Sequence, residues 1–305
     1  MINIYISMDI NDNLFNLVKS HKWEELIKTI NNTKDLDCNI RDSNNNYLIQ
    51  YVILYNKIEI IKLLIEKGAK LDVTDIDGRS LLFIPIKYNY DDILETILEN
   101  DKNSIGISLL EFSDNKGLFP IHYTILFNNL NAINIILKYI TNIDTPDNDG
   151  NTALHLSIQM KNLDIFNQII KHNPDVNYQT NQGESPLHIA CNFTQIEMIK
   201  ILLKYDIDVN IQDYENHITP LMYSIILDNT SLFNLLIDKS NVDIQDINGN
   251  NPLHYAINEN NYSIINSLTD KYVNLYSTNL SGKTPLHLLL DSIKINNIDT
   301  SKFNF

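Results

Sequence analysis

Residues 147–158 read Asp147-Asn148-Asp149-Gly150-Asn151-Thr152-Ala153-Leu154-His155-Leu156-Ser157-Ile158, and this stretch decides the fold because the chain keeps returning to it. Asp147 and Gly150 frame a tight turn, since aspartate can bond its own backbone and glycine tolerates positive φ. Thr152 is placed to cap a helix by accepting a bond from an early backbone N–H. Leu154 and Ile158, four apart, share one face of that short helix. A second helix is expected from about Leu163 to Lys171, where Ile165, Phe166, Ile169 and Ile170 fall at helical spacing.

The pattern recurs at Ser185-Pro186-Leu187-His188-Ile189-Ala190, Thr219-Pro220-Leu221-Met222, Asn251-Pro252-Leu253-His254-Tyr255-Ala256 and Thr284-Pro285-Leu286-His287. Weaker copies stand at Asn45–Ile49, Gly78–Leu82 and Gly117–His122. Proline follows the cap, at the first helical position, where its missing N–H costs little. Six of the eight glycines (Gly78, Gly117, Gly150, Gly183, Gly249, Gly282) obey the phase. So do five histidines, His122, His155, His188, His254 and His287. A motif that returns every 32 to 34 residues describes an all-α stack of small helical units rather than a globular enzyme.

These residues resemble the ankyrin repeat, whose signature is a T-P-L-H-x-A core with a G-A/D-V-N ending. The resemblance runs from about residue 10 to 290. It implies a curved α-solenoid in which each unit is a turn, two antiparallel helices and a loop, and it implies protein binding rather than catalysis. Residues 1–40 are expected to form a degenerate N-terminal capping unit, with amphipathic patterns around Leu14-Phe15-Leu17-Val18 and Trp23-Leu26-Ile27-Ile30. Residues 41–305 are then an array of about eight units, the last frayed or incomplete, with Ile293–Phe305 a poor second helix.

Departures from the pattern are informative. The glycine usual between the two helices is replaced by Asn56, Asn89, Asn128 and Asn260, and elsewhere by Asp228, Thr194 and Lys161. Asparagine and aspartate tolerate a left-handed conformation; Lys161 and Thr194 should cost about 1 kcal/mol each. Unit seven carries one extra residue within Tyr214-Glu215-Asn216-His217 and lacks the turn glycine, so an irregular turn is expected. From Ser80 to Phe119 the spacing is about six residues too long, the excess lying within Asp101–Ile107. Two readings stand: a finger that touches a partner, or a longer second helix on which Ile105 and Ile107 pack back.

Composition excludes several classes. A net charge of −15 makes nucleic acid a poor partner. No run of about 18 apolar residues suggests a membrane span, and the N-terminus does not read as a secretion signal. The two cysteines, Cys38 and Cys191, lie in different units, which fits a reducing compartment. An intracellular, cytoplasmic protein is expected. The wealth of Asn, Ile and Lys has the bias of an AT-rich genome, such as a giant virus's, in which case the host cytoplasm is meant. Histidines one unit apart cannot converge on one metal, because neighbouring helices pack roughly 8–10 Å apart. The resemblance gives them a structural role. No cofactor, metal or catalytic residue is expected.

Thirteen positions after the turn aspartate, or its equivalent (fourteen in unit seven, with its extra residue), stand Tyr55, Tyr88, Phe127, Met160, Phe193 and Leu227, before the series breaks to Glu259 and Ser292. The resemblance places the ends of first helices in a concave groove. These six are the candidate partner-binding residues, supported by Leu54, Leu126 and Ile226; the alternative is that they pack sideways and close the groove. A monomeric protein-binding scaffold follows, with an adaptor to a larger machine such as a ubiquitin ligase as the second reading. Asp208-Val209-Asn210 and Asp175-Val176-Asn177 also resemble sites of asparaginyl hydroxylation in ankyrin proteins, against the reading that these asparagines bond loop backbone.

Overall fold

The computed structural model describes residues 2–101 and 108–296. Among them the structure is helical, with no strand and two isolated bridges, Arg41–Tyr47 and Thr74–Ser80, closing turns. The chain divides into two compact units, Met1–Asn148 and Asp149–Phe305. The first holds α1 (Ile2–Lys19), α2 (Trp23–Asn32), α3 (Leu48–Leu54), α4 (Ile58–Glu66), α5 (Phe83–Tyr88), α6 (Asp91–Glu99), a 3-10 turn (Leu109–Glu111), α7 (Pro120–Leu126) and α8 (Leu130–Ile136). The second holds α9 (Ala153–Gln159), α10 (Leu163–Ile170), α11 (Pro186–Asn192), α12 (Ile196–Leu202), α13 (Pro220–Ile226), α14 (Thr230–Leu236), α15 (Pro252–Asn258), α16 (Tyr262–Asp270) and α17 (Pro285–Asn296). Within each unit, each first helix packs on the next: α1, α3, α5 and α7 in one; α9, α11, α13, α15 and α17 in the other. Each unit is therefore an α-solenoid, built by near neighbours in sequence.

Local chemistry explains the elements. Pro120, Pro186, Pro220 and Pro252 open their helices at the first turn, where no N–H is missed. Each first helix then stops in one residue: Asn56, Asn89, Asn128, Lys161, Thr194, Asp228 and Asn260 all take left-handed φ between 49° and 58°. The turns meet edge to edge. Asn181 N–H donates to Asp149 O at 3.0 Å and Tyr214 N–H to Gln182 O at 2.9 Å. That approach fixes glycine at Gly183, where φ is +82° and a Cβ would lie 2.3 Å from Tyr214 N. The seventh turn is irregular as its extra residue requires. His217 takes φ 56°, and Asp213 N–H bonds to Ile218 O, five residues on, where the sixth turn closes four residues on.

The core lies between helices in a line, with Ile165, Phe166, Ile169, Leu202, Phe233 and Leu268 among its fully buried members. The N-terminal pair buries Leu14, Val18, Leu26 and Ile30 completely, and α1 packs on α3. At the other end the sequence expectation needs correction. Residues 293–296 are not the start of a second helix but the end of α17, which runs unbroken for 12 residues. Ile293 occupies the position that the other repeats give to Asn, Asp, Lys or Thr in the left-handed state. In this last repeat the helix runs through that position instead. The excess residues 102–107, including Ile105 and Ile107, lie outside the described residues, as does 297–305.

Candidate interaction surface

The phased histidines are the ties of the stack. In the C-terminal unit, His155, His188 and His254 are fully buried, and each ring bonds at both nitrogens. Nδ1 lies 3.2, 3.1 and 3.1 Å from the backbone nitrogens of Thr152, Ser185 and Asn251. A backbone N–H can only donate, so Nδ1 accepts and the proton sits on Nε2. Nε2–H then donates to a carbonyl of the following turn region: Tyr178 O at 3.1 Å, Ile218 O at 3.0 Å and Lys283 O at 3.3 Å. Burial holds His188 and His254 below the ordinary imidazole pKa, against the weaker pull of those carbonyls and nearby carboxylates. At Thr152 the cap is reciprocal and includes the imidazole: His155 Nδ1 accepts the Thr152 N–H and sits 2.9 Å from the Thr152 hydroxyl. Ser185, Thr219 and Asn251 accept the expected backbone bond.

The N-terminal unit makes substitutions. Gln50 Oε1 accepts the Tyr47 N–H at 2.7 Å where a histidine nitrogen would stand. His122 Nδ1 accepts from Phe119 N at 3.1 Å, but its buried Nε2 makes no well-formed hydrogen bond and has only the Thr145 backbone nearby. Burial depresses its pKa to about 4, outweighing the opposing pull of Asp147, the Thr145 backbone and Asp114.

The six candidate residues sit where the first helices end. Tyr55, Phe127, Met160, Phe193 and Leu227 are each the residue just past the last helical one, and Tyr88 is the last of α5. The left-handed residue follows at once and turns the chain away, which leaves these side chains at the edge of the packed interior. Five are 36–48% exposed; Tyr55 is half-buried. Tyr55 lies edge-on to His21 at 4.8 Å and against Trp23 at 5.4 Å. Tyr88 stacks on Tyr90 at 5.9 Å. Phe127 stacks on Tyr123 at 6.0 Å and meets the edge of Phe83 at 5.7 Å. In the C-terminal unit, Met160, Phe193 and Leu227 end three successively packed helices, and the Lys161 ammonium lies 5.4 Å from the Phe193 ring centre. Glu259, where the series breaks, is also exposed.

One row on the same helices escaped sequence reading. Tyr51, Tyr223 and Tyr255 donate their hydroxyls to the turn aspartates Asp42, Asp213 and Asp246 at 2.7, 3.4 and 2.6 Å, and Tyr123 donates to Asp114. The signal was available: a tyrosine nine or ten residues after each of those aspartates. Burial, with the neighbouring carboxylate, pushes the Tyr123, Tyr223 and Tyr255 hydroxyls above the usual range. Asn177 and Asn210 bond the next loop. Asn177 accepts from Asp208 N at 2.7 Å and donates to Asp206 O at 2.9 Å, and Asn210 accepts from Asn241 N at 2.7 Å. Among the described residues no three His, Cys, Asp or Glu side chains gather to hold a metal, and no helix is long and apolar enough to cross a membrane.

The family model described as "Ankyrin repeats (3 copies)" matches in overlapping copies at residues 14–108, 104–180, 121–213, 160–246 and 221–302. The chain belongs to the ankyrin repeat family. This ankyrin chain is 37% identical over 282 residues to the ankyrin repeat protein L371 of Acanthamoeba polyphaga mimivirus, a match covering 90% of the chain and 37% of that relative. It is 26% identical over 134 residues to the nuclear factor NF-kappa-B p105 subunit of Gallus gallus, covering 42% of the chain and 13% of that protein. The chain thus spans well under half the length of these relatives. Among solved structures it superposes on the ankyrin repeat domain of Bcl-3, a member of the IkappaB protein family, with a TM-score of 0.64 at 19% identity, over 72% of the chain and 99% of that domain. The ankyrin fold is common to both.

Proposed function

We propose that this protein is a non-enzymatic scaffold that binds a partner protein along the face formed by the ends of its first helices. One observation carries the reading: six consecutive repeats put a large apolar side chain at the same place, three in each unit, and five of them remain exposed. Aromatic and methionine side chains at such places supply large contact area at modest entropic cost. The acidic net charge of −15 favours basic residues in the partner at the rim. The chain acts as a monomer inside the cell, needing no cofactor. Its two cysteines are buried, with thiols pushed up chiefly by burial, as suits a reducing compartment.

The test is capture from host-cell lysate by wild-type protein and by the double variant Phe127→Ala, Phe193→Ala. The expected result is loss of specific partners, with each truncation costing about 2 kcal/mol or more of binding and the helical circular dichroism retained. Unchanged capture would refute the reading. Co-purifying ubiquitin-ligase subunits would instead support an adaptor role.

A further inference from the structure

Six turns of the stack close on a glycine of positive φ, and the residue before it varies: Asp77, Lys116, Asp149, Gln182, Asn248 and Ser281. Asn248-Gly249 is the one Asn-Gly pair in the chain. The fold demands that glycine. Gly249 takes φ +78°, and a Cβ there would lie 3.0 Å from Asn279 Cα in the next turn. The pair carries a chemistry that its sister turns lack. An asparagine carboxamide carbon can be reached by the following backbone nitrogen through a five-membered ring, and glycine has no side chain to block the approach. Gln182 would close a larger ring, more slowly. Asp77 and Asp149 offer a carboxylate, which resists a nucleophile.

In this turn the backbone is held and the side chain is not. Asn248 N–H donates to Asp246 Oδ1 at 2.9 Å, and Gly249 N–H to Asp246 O at 2.9 Å. Asn248 O accepts the Leu280 N–H at 2.8 Å, which ties the turn to the next one. Tyr255 donates its hydroxyl to the other Asp246 carboxylate oxygen at 2.6 Å and so fixes the clamp. Asn248 itself is exposed, and its carboxamide makes no hydrogen bond among the described residues. While the Gly249 N–H stays bonded it cannot attack, so reaction waits on opening of the turn.

We propose that Asn248 is a site of spontaneous deamidation that loosens the end of the stack. When the turn opens, the Gly249 nitrogen attacks Asn248 Cγ. The new C–N bond closes a succinimide, and the side-chain nitrogen leaves as ammonia with the proton that Gly249 gives up. Water then opens the ring at either carbonyl, giving aspartate or iso-aspartate. Water is the sole co-reactant, and nothing is oxidised or reduced. In the iso-aspartate product the main chain runs through Cβ and Cγ. That adds one atom to the backbone and moves the carbonyl that holds Leu280 off the main chain. The turn at Asn279–Gly282 is thereby released from its neighbour, whereas the aspartate product leaves the tie in place. The inference is independent of the groove reading.

The experiment ages the folded full chain in mildly alkaline buffer and maps it by peptide mass spectrometry. A gain of one mass unit is expected in the peptide carrying residue 248, ahead of every other asparagine and split into two chromatographic isomers. An isoaspartate-specific methyltransferase should label one of the two. Asn248→Ser should abolish the gain. Tyr255→Phe, which frees the Asp246 clamp, should speed it about fivefold, the factor that one lost hydrogen bond of about 1 kcal/mol implies. Hydrogen exchange at the Leu280 amide should lose protection in the iso-aspartate fraction and keep it in Asn248→Asp. No gain at residue 248, or a gain spread evenly over the asparagines, would overturn the site. An unchanged rate in Tyr255→Phe would refute turn opening as the gate, and equal Leu280 protection in the two products would refute the release.

Discussion

The two units build the same repeat with different ties. In the C-terminal unit, His155, His188 and His254 each join a helix start to the next turn region through both ring nitrogens. In the N-terminal unit the same place holds Gln50, Phe83 and His122. Glutamine keeps only the local bond, phenylalanine keeps neither, and His122 keeps one nitrogen buried without a well-formed bond. Aromatic contact takes over there: Phe83 meets Tyr123 at 4.8 Å, and Trp23 and His21 close on Tyr55. Hydrogen bonds through histidine demand one geometry, whereas ring packing accepts several. The unit held by rings is also the one in which a first helix starts two residues late, at Phe83.

The sharpest way to expose the histidine ties is acid. A neutral imidazole is required, because a protonated Nδ1 would face a backbone N–H donor. His122 has a folded pKa of about 4 against about 6.5 unfolded. Between those values the unfolded chain binds the extra proton, so stability present above about pH 6.5 is lost as pH falls toward 4. His122 alone accounts for about 3 kcal/mol at the acid end, and the depressed His188 and His254 act with the same sign. Urea melts at pH 7.5, 6 and 4.5 should show falling midpoints; a flat profile would contradict the assigned protonation.

Removing one tie directly is the next largest effect. His188→Ala strips the acceptor of the Ser185 N–H and the donor to Ile218 O, both buried, and should cost about 3 kcal/mol in urea denaturation. Gln50→Ala, the matching change in the N-terminal unit, loses one part-buried bond to Tyr47 N–H and should cost about 1 kcal/mol. Equal losses would show that the ring-packed unit depends on its local bond as much as the histidine unit does on its ties.

Most of this architecture was legible because each motif residue has one local job. Gly183 and Pro186 announce a turn and a helix start without reference to distant chain. The ties were not legible as bonds, since the acceptor of His188 lies 30 residues on and is a backbone carbonyl, which no side-chain pattern marks. The Tyr123–Asp114 clasp was hidden for another reason. Tyrosine alternates there with Ile84, Leu156 and Ile189, so the position reads as merely apolar. The extent of α17 was not legible, because the repeat phase placed a helix break at Ile293 and the helix runs through it to Asn296. At the candidate surface, counting from the turn aspartate located the six side chains. It could not tell that Tyr55 is covered by Trp23 and His21, whose unit carries no turn signature to count from.

The smallest effect tests the turns between helices, where the N-terminal unit is the better adapted. Its left-handed residues are Asn56, Asn89 and Asn128, while the C-terminal unit holds Lys161 at φ 56° and Thr194 at φ 51°. A Cβ strains that conformation, and only asparagine and aspartate recover part of the cost by local bonding. Glycine removes the strain but loses more freedom on folding. The two terms oppose, and strain exceeds entropy where the side chain is lysine. Lys161→Gly should therefore stabilise the protein by about 0.5 kcal/mol in urea denaturation, even though it also removes the cation near Phe193. Asn128→Gly should be neutral or slightly destabilising, because asparagine already fits. The reverse ranking would mean that the Lys161 contact with Phe193 outweighs backbone strain, and that the exposed ring is held in place by its own chain.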